Sequence, residues 1–259
     1  MDFLFKLYIK SSIHVGFAMV FFALITYHNF SIVVDSNYVV ILFLGTLICY
    51  NFLKYSRLFF GIKNQNRLLK SIFTITAIAI FILPFFCYKL LFKPFSLLVS
   101  VVVLVFLYPK IRVNGVLKIT WLSFVVSCVT VYIPLESSAI KGFQLLVDFV
   151  LRFLFVILLM LPFEMNDLEF DQNSIKTIPL RVGILKTKWL AVLLFVLLLL
   201  LYGFCFLFKV YTAKSIVIAC LMCGFVCLFA LSFYKKYNYY VLYFIIESAP
   251  LFWYYLLII

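Results

Sequence analysis

Nine long apolar runs, separated by short polar stretches, make up most of the chain. They cover residues 12–30, 38–56, 71–91, 93–109, 117–134, 144–163, 188–208, 213–233 and 238–258. Each is long enough for an α-helix to cross the hydrocarbon core of a bilayer. None has the short alternating pattern of a barrel strand. Lipid offers no hydrogen bonds to an open backbone, so the pattern predicts an all-α, polytopic membrane bundle of about nine transmembrane helices. Residues 1–11 set Phe3, Leu4 and Leu7 against Lys6 and Lys10, which predicts a short interfacial amphipathic segment. No clean small-residue cleavage site follows, so the first helix is expected to stay in the membrane. The connections are short, and residues 1–259 read as one integral membrane domain.

Composition sharpens this picture. The chain is 67% hydrophobic and 12% charged, more apolar surface than a soluble fold of 259 residues can bury. Its formal charge of +13 would suggest nucleic acid in a soluble protein. Here the cations lie between the apolar runs, where topology and anionic headgroups place them, so no nucleic-acid partner is expected. With the N-terminus in the cytoplasm, sixteen Lys and Arg fall on that side and five on the other, with Arg152 inside the sixth run. An odd number of spans then puts the C-terminus on the far side, in what reads as a bacterial inner membrane. The seven Cys lie almost wholly in apolar runs. Cys220, Cys223 and Cys227 share a helix face, but no His or acid is near them in sequence, so they read as packing residues.

The most informative polar segment is the cytoplasmic motif loop, residues 164–187, which begins EMNDLEFDQNSIKTIPLRVG. Glu164, Asp167 and Asp171 stand three and four apart and share one face of a helix. Carboxylates at the membrane boundary are costly unless they pair or bind a cation, and Mg²⁺ is often held by one or two carboxylates plus substrate phosphates. Lys176, Arg181 and Lys186 are candidates to meet phosphate oxygens. Thr177-Ile178-Pro179 is expected to end the helix, because a residue before proline leaves the α region. A solvated loop of mixed charge is the alternative.

The loop after the second run holds Asn51, Lys54 and Arg57 and, further on, Lys63, Arg67 and Lys70, without a carboxylate. It reads either as a diphosphate-binding patch or as ordinary positive-inside topology. Lys110 after Tyr108-Pro109 belongs to the same face. Asp148 and Arg152, four apart, predict an intrahelical ion pair. Glu247 is a lone intramembrane acid and a candidate for a cavity role. His14 and His28 read as structural or interfacial.

The Glu164–Gly183 segment resembles the second aspartate-rich motif of the UbiA superfamily of intramembrane prenyltransferases. The resemblance rests on Glu164, Asp167, Asp171, Lys176, Thr177, Pro179 and Gly183, and on nine runs with this motif after the sixth. It implies a UbiA-like fold in which Mg²⁺, at Glu164, Asp167 and Asp171, holds an isoprenoid diphosphate. An allylic carbocation is then captured by a lipophilic or aromatic acceptor. Asp167 and Asp171 would be the catalytic residues. Asn51, Lys54, Arg57, Lys110, Lys176 and Arg181 would bind substrate. The first motif departs from the family pattern: Asn51 fits, but Phe52, Tyr55 and Phe59 stand where carboxylates belong.

Two functions follow. One is a Mg-dependent prenyltransferase, its single metal site supplemented by Lys54, Arg57 and Lys110. The other is a catalytically degenerate homologue that binds a lipid phosphate or helps assemble a membrane complex with a protein partner. A transporter would draw on Asp148, Arg152 and Glu247, but no inverted repeat is evident.

Overall fold

The computed structural model of the chain describes residues 3–59, 66–88, 92–111, 114–136, 138, 140, 142–166, 168, 177–232 and 239–259. Its elements are α1 (Phe3–Lys10), α2 (Ile13–Asn29), α3 (Ser36–Phe59), α4 (Arg67–Cys87), α5 (Phe92–Ile111) and α6 (Gly115–Ser127). A π-helical segment (Cys128–Tyr132) joins α6 to α7 (Ile133–Glu136). There follow α8 (Phe143–Asn166), α9 (Ile178–Val182), α10 (Ile184–Leu207), α11 (Ala213–Leu231), α12 (Tyr239–Glu247) and α13 (Ala249–Ile258).

The chain is therefore an all-α integral membrane protein, and each apolar run is helical over most of its described residues. The expected count of nine spans is supported in part. Among the described residues, six helices are long and apolar enough to cross a bilayer, or seven if the bent α1–α2 pair is one span. The runs at 93–109 and 238–258 coincide with shorter apolar helices, Phe95–Ile111 and Leu242–Ile258. The second of these is interrupted between Glu247 and Ala249.

Helix α8 is central and packs against α6, α10 and α11. It supplies Leu151, Phe155, Leu158 and Leu161 to the main core, where α13 adds Trp253, whose ring meets Phe155 edge-on at 4.9 Å. By contrast, α10 turns Leu185, Trp189, Leu193 and Leu200 outward. In lipid such a face costs nothing, because hydrocarbon is as apolar as leucine. The charged side chains of α8 accordingly point inward.

Two irregularities are tied down by side chains. Helices α1 and α2 meet at 54°. Ser12 at the break has φ +62°, a left-handed conformation that costs a non-glycine residue about 1–2 kcal/mol. Its hydroxyl donates to Asn51 Oδ1 at 2.8 Å, and Asn51 Nδ2 donates to the Ser11 carbonyl at 2.9 Å and to Thr76 Oγ1 at 3.0 Å. Asn51 thus clamps the break to α3 and α4. In the π-helical segment, the Val129 carbonyl accepts from the Tyr38 hydroxyl. Both contacts satisfy backbone or amide groups where no water is at hand.

Candidate functional site: an amphipathic cavity

A cavity of about 660 Å³ lies between α2, α3, α5, α6, α8 and the α12–α13 pair. The volume falls within the range of small-molecule sites, ~300–1,000 Å³. Helix direction sorts its lining into two ends. Lys54 stands late in α3, Tyr108 late in α5, Lys118 in the first turn of α6, Glu164 in the last turn of α8, and Glu247 at the end of α12. The first four share one end; Glu247, at the break of the last span, lies deeper but within reach of the Lys54 charge. Ile41 and Leu42 from early α3, Phe95 and Leu98 from early α5, and Val129 line the other. The lining of α3 alone, from Ile41 to Lys54, spans about 20 Å at the helical rise. The shape is a long greasy tunnel with a charged head.

At that head, Lys118 Nζ approaches Glu164 Oε1 to 2.6 Å. The Glu164 side chain is 1% exposed, which makes this a desolvated pair. Lys54 is exposed and stands at the rim. On the facing helix, the Tyr243 ring packs at a tilt of 55° against Phe163 with centroids 4.7 Å apart, fixing α12 beside the end of α8.

The expected site residues distribute unevenly over this geometry. Glu164 and Lys54 line the cavity, and so does Glu247. Asn51 is fully buried and spends its amide on Ser11, Ser12 and Thr76. Lys110 and Arg181 are exposed. Asp167, Asp171 and Lys176, and the side chain of Arg57, lie outside the described residues. Where the resemblance would lead one to expect carboxylates, Phe52 packs edge-on against Phe106, and the Tyr55 hydroxyl donates to the Lys10 carbonyl at 2.9 Å. Lys118 was legible only as an orienting cation, because its partner lies 46 positions away. Pro179 stands in the first turn of α9; the helix stop expected at Thr177-Ile178-Pro179 concerns the segment before Thr177, where residues 167 and 169–176 lie outside the described residues. Proline is well suited to a first helical turn, where its missing N–H has no partner to lose.

Among the described residues, no three His, Cys, Asp or Glu side chains converge as a metal cage. Glu164 nevertheless fits one corner of a Mg²⁺ site: it is an oxygen donor at the polar end of the cavity, already set against the Lys118 cation.

The other intramembrane charges serve the core. Tyr211 donates to Asp148 Oδ1 at 2.8 Å, Thr26 to Asp148 Oδ2 at 3.4 Å, and Arg152 Nη2 to Thr26 Oγ1 at 3.2 Å. Thr26 therefore bridges the expected ion pair. Arg152 also stacks over Phe22 at 4.5 Å. The adjoining void is about 10 Å³, room for about one water molecule. His14 joins α1 to α12, with Nδ1 2.7 Å from the Tyr8 hydroxyl and Nε2 3.1 Å from the Phe244 carbonyl.

No family model, curated protein or solved structure matches this chain.

Proposed function

We propose that this chain is a UbiA-like membrane protein that takes an isoprenoid diphosphate into the cavity and transfers its isoprenyl group to a lipophilic or aromatic acceptor. The observation that carries the reading is the cavity's polarity: a long apolar run capped at one end by Lys54, Lys118 and Glu164. The tail lies along α3 and α5. The lysines attract the diphosphate and hold it at the membrane boundary. Mg²⁺, bound at Glu164 with Asp167 and Asp171, would supply charge neutralisation at the departing diphosphate. Aromatic and aliphatic walls exclude water from the electrophilic carbon. The cation bias supports a cytoplasmic N-terminus in a bacterial inner membrane.

The test is turnover by the purified chain in nanodiscs with Mg²⁺, labelled geranylgeranyl diphosphate and a panel of lipophilic acceptors. Label should pass to an acceptor, and Asp167→Asn and Asp171→Asn should each abolish transfer in a protein that still folds.

One observation favours a second reading, a lipid-phosphate-binding protein without transfer chemistry. The aromatic side chains at Phe52 and Tyr55 are packed or hydrogen-bonded, and Glu164 is already neutralised by Lys118. Saturable binding of the diphosphate without turnover, unchanged in both aspartate variants, would select this reading.

A further inference from the structure

Glu247 is an acid in an apolar stretch, at a point where the helix is broken. Ser248 separates α12 from α13, and Pro250 stands in the first turn of α13. The break is satisfied by other groups. The Ser248 hydroxyl donates to the Phe244 carbonyl at 2.6 Å, and that carbonyl also lies 3.1 Å from His14 Nε2. Glu247 is not needed there. Its side chain faces the cavity instead, is 9% exposed, and its Oε2 has no hydrogen-bond partner among the described residues. An unmatched buried acceptor is expensive, and an intramembrane acid in a cavity wall is a functional position by default.

What it can receive depends on its ionisation, and at an alkaline pH that ionises it the charge decides. A carboxylate repels phosphate and carboxylate heads and attracts hydrogen-bond donors. The cavity's cations are Lys54 at the rim and Lys118, the latter set against Glu164. An anionic head belongs with these lysines. Lys54 is also the cation whose field reaches Glu247, so the two polar positions adjoin, and a second head next to the ionised Glu247 must donate.

We propose that Glu247 binds the hydrogen-bond-donating head of a second lipophilic ligand, an alcohol, phenol or amine, and selects against carboxylate heads. This rests on the cavity being an amphiphile site, and it names the class of acceptor that shares it with the diphosphate. Glu247 acts here as a specificity-determining contact.

The experiment measures binding of hexadecanol, palmitate and geranylgeranyl diphosphate to the full chain in nanodiscs, at an alkaline pH where palmitate is ionised. Wild type should prefer hexadecanol to palmitate by about tenfold, the scale of one hydrogen bond to a charged group. Glu247→Gln keeps an acceptor oxygen and removes the charge, so palmitate binding should rise about tenfold with hexadecanol little changed. Glu247→Leu should weaken hexadecanol without weakening the diphosphate, since it removes a negative charge from beside Lys54. The inference is overturned if wild type shows no preference, if the preference survives in Glu247→Gln, or if diphosphate binding is lost together with hexadecanol. A wild-type protein that ignores the diphosphate but keeps a Glu247-dependent alcohol preference would overturn the diphosphate reading alone.

Discussion

Lys118 Nζ stands 2.6 Å from Glu164 Oε1 and ties the first turn of α6 to the last turn of α8 at the polar end of the cavity. Neither charge would be tolerated alone at this depth. The carboxylate is almost wholly desolvated, and the ammonium offsets part of that cost. On the proposed function, a phosphate would compete with Glu164 for Lys118, and a divalent cation with Lys118 for Glu164.

Removing one partner should therefore hurt more than removing both. Lys118→Met leaves a buried carboxylate without its ammonium, at a cost on the order of 3 kcal/mol. Adding Glu164→Gln removes that charge and should recover most of the lost melting temperature, as followed by tryptophan fluorescence in detergent. Binding of geranylgeranyl diphosphate should stay impaired in the double variant, because the cation is still missing. Full recovery of binding would remove Lys118 from the site.

Asn51 separates a structural from a ligand-binding role. Its amide donates to the Ser11 carbonyl and Thr76, and its carbonyl accepts from Ser12. Asn51→Asp places an acceptor oxygen against the Ser11 carbonyl in a fully buried site. It should destabilise by at least about 2 kcal/mol, the scale of one buried group left unmatched. The readout is the melting temperature without ligand. A variant that melts like wild type but fails to bind diphosphate would instead make Asn51 a ligand contact.

These two residues also show what a sequence conveys. Apolar period and run length place nearly every helix, because lipid enforces both. They do not show that Ser248 and Pro250 interrupt the last run, or that α1 turns by 54° into α2. Charge placement reports which side of the membrane a lysine occupies. It says nothing of the partner reached across the bundle, so Lys118 was read only for orientation. Asn51 matched a motif position, but its amide is used by a helix break whose only local sign is the pair Ser11-Ser12. Glu247 was legible because a lone acid in an apolar run has few structural uses.

Gly183 tests the motif from the backbone side. It joins α9 to α10 at φ +86° and ψ 158°, a region open in practice only to glycine. Added bulk is not the obstacle, since no atom of the described residues lies within 4 Å of a Cβ built there. Gly183→Ala should cost about 1–3 kcal/mol through strain alone. The measurements are the melting temperature and protease accessibility of the 164–187 segment. Unchanged values would show that the junction can relax into an ordinary conformation.

Tyr211 sits in the turn between α10 and α11, outside both spans, and donates to Asp148. Burial, and then the neighbouring Asp148 carboxylate, push its phenol well above its ordinary range. The unfolded chain releases this proton near pH 10 and the folded chain holds it. Its contribution is thus complete below about pH 10 and declines as the pH rises further. Tyr211→Phe should lower stability by about 1–3 kcal/mol at neutral pH. The gap to wild type should narrow above pH 10 in parallel melts, and a gap independent of pH would contradict the assignment.

Gly45 offers the cleanest probe of the cavity's apolar length. It lies within α3 and lines the tunnel, and nothing stands within 4 Å of a Cβ built on it. A helix-interior glycine is itself destabilising by about 0.5–1 kcal/mol relative to alanine. Gly45→Ala should therefore raise stability slightly, and Gly45→Phe should fill the tunnel without the overpacking penalty of a close-packed core. If the tail lies along α3, Gly45→Phe abolishes binding of geranylgeranyl diphosphate, and dimethylallyl diphosphate, with its short tail, still reaches Lys54 and Lys118. Calorimetry with the two diphosphates distinguishes the outcomes. Equal loss of both would mean that the ring blocks the charged head rather than the tail, and equal retention would mean that the tail lies outside this tunnel.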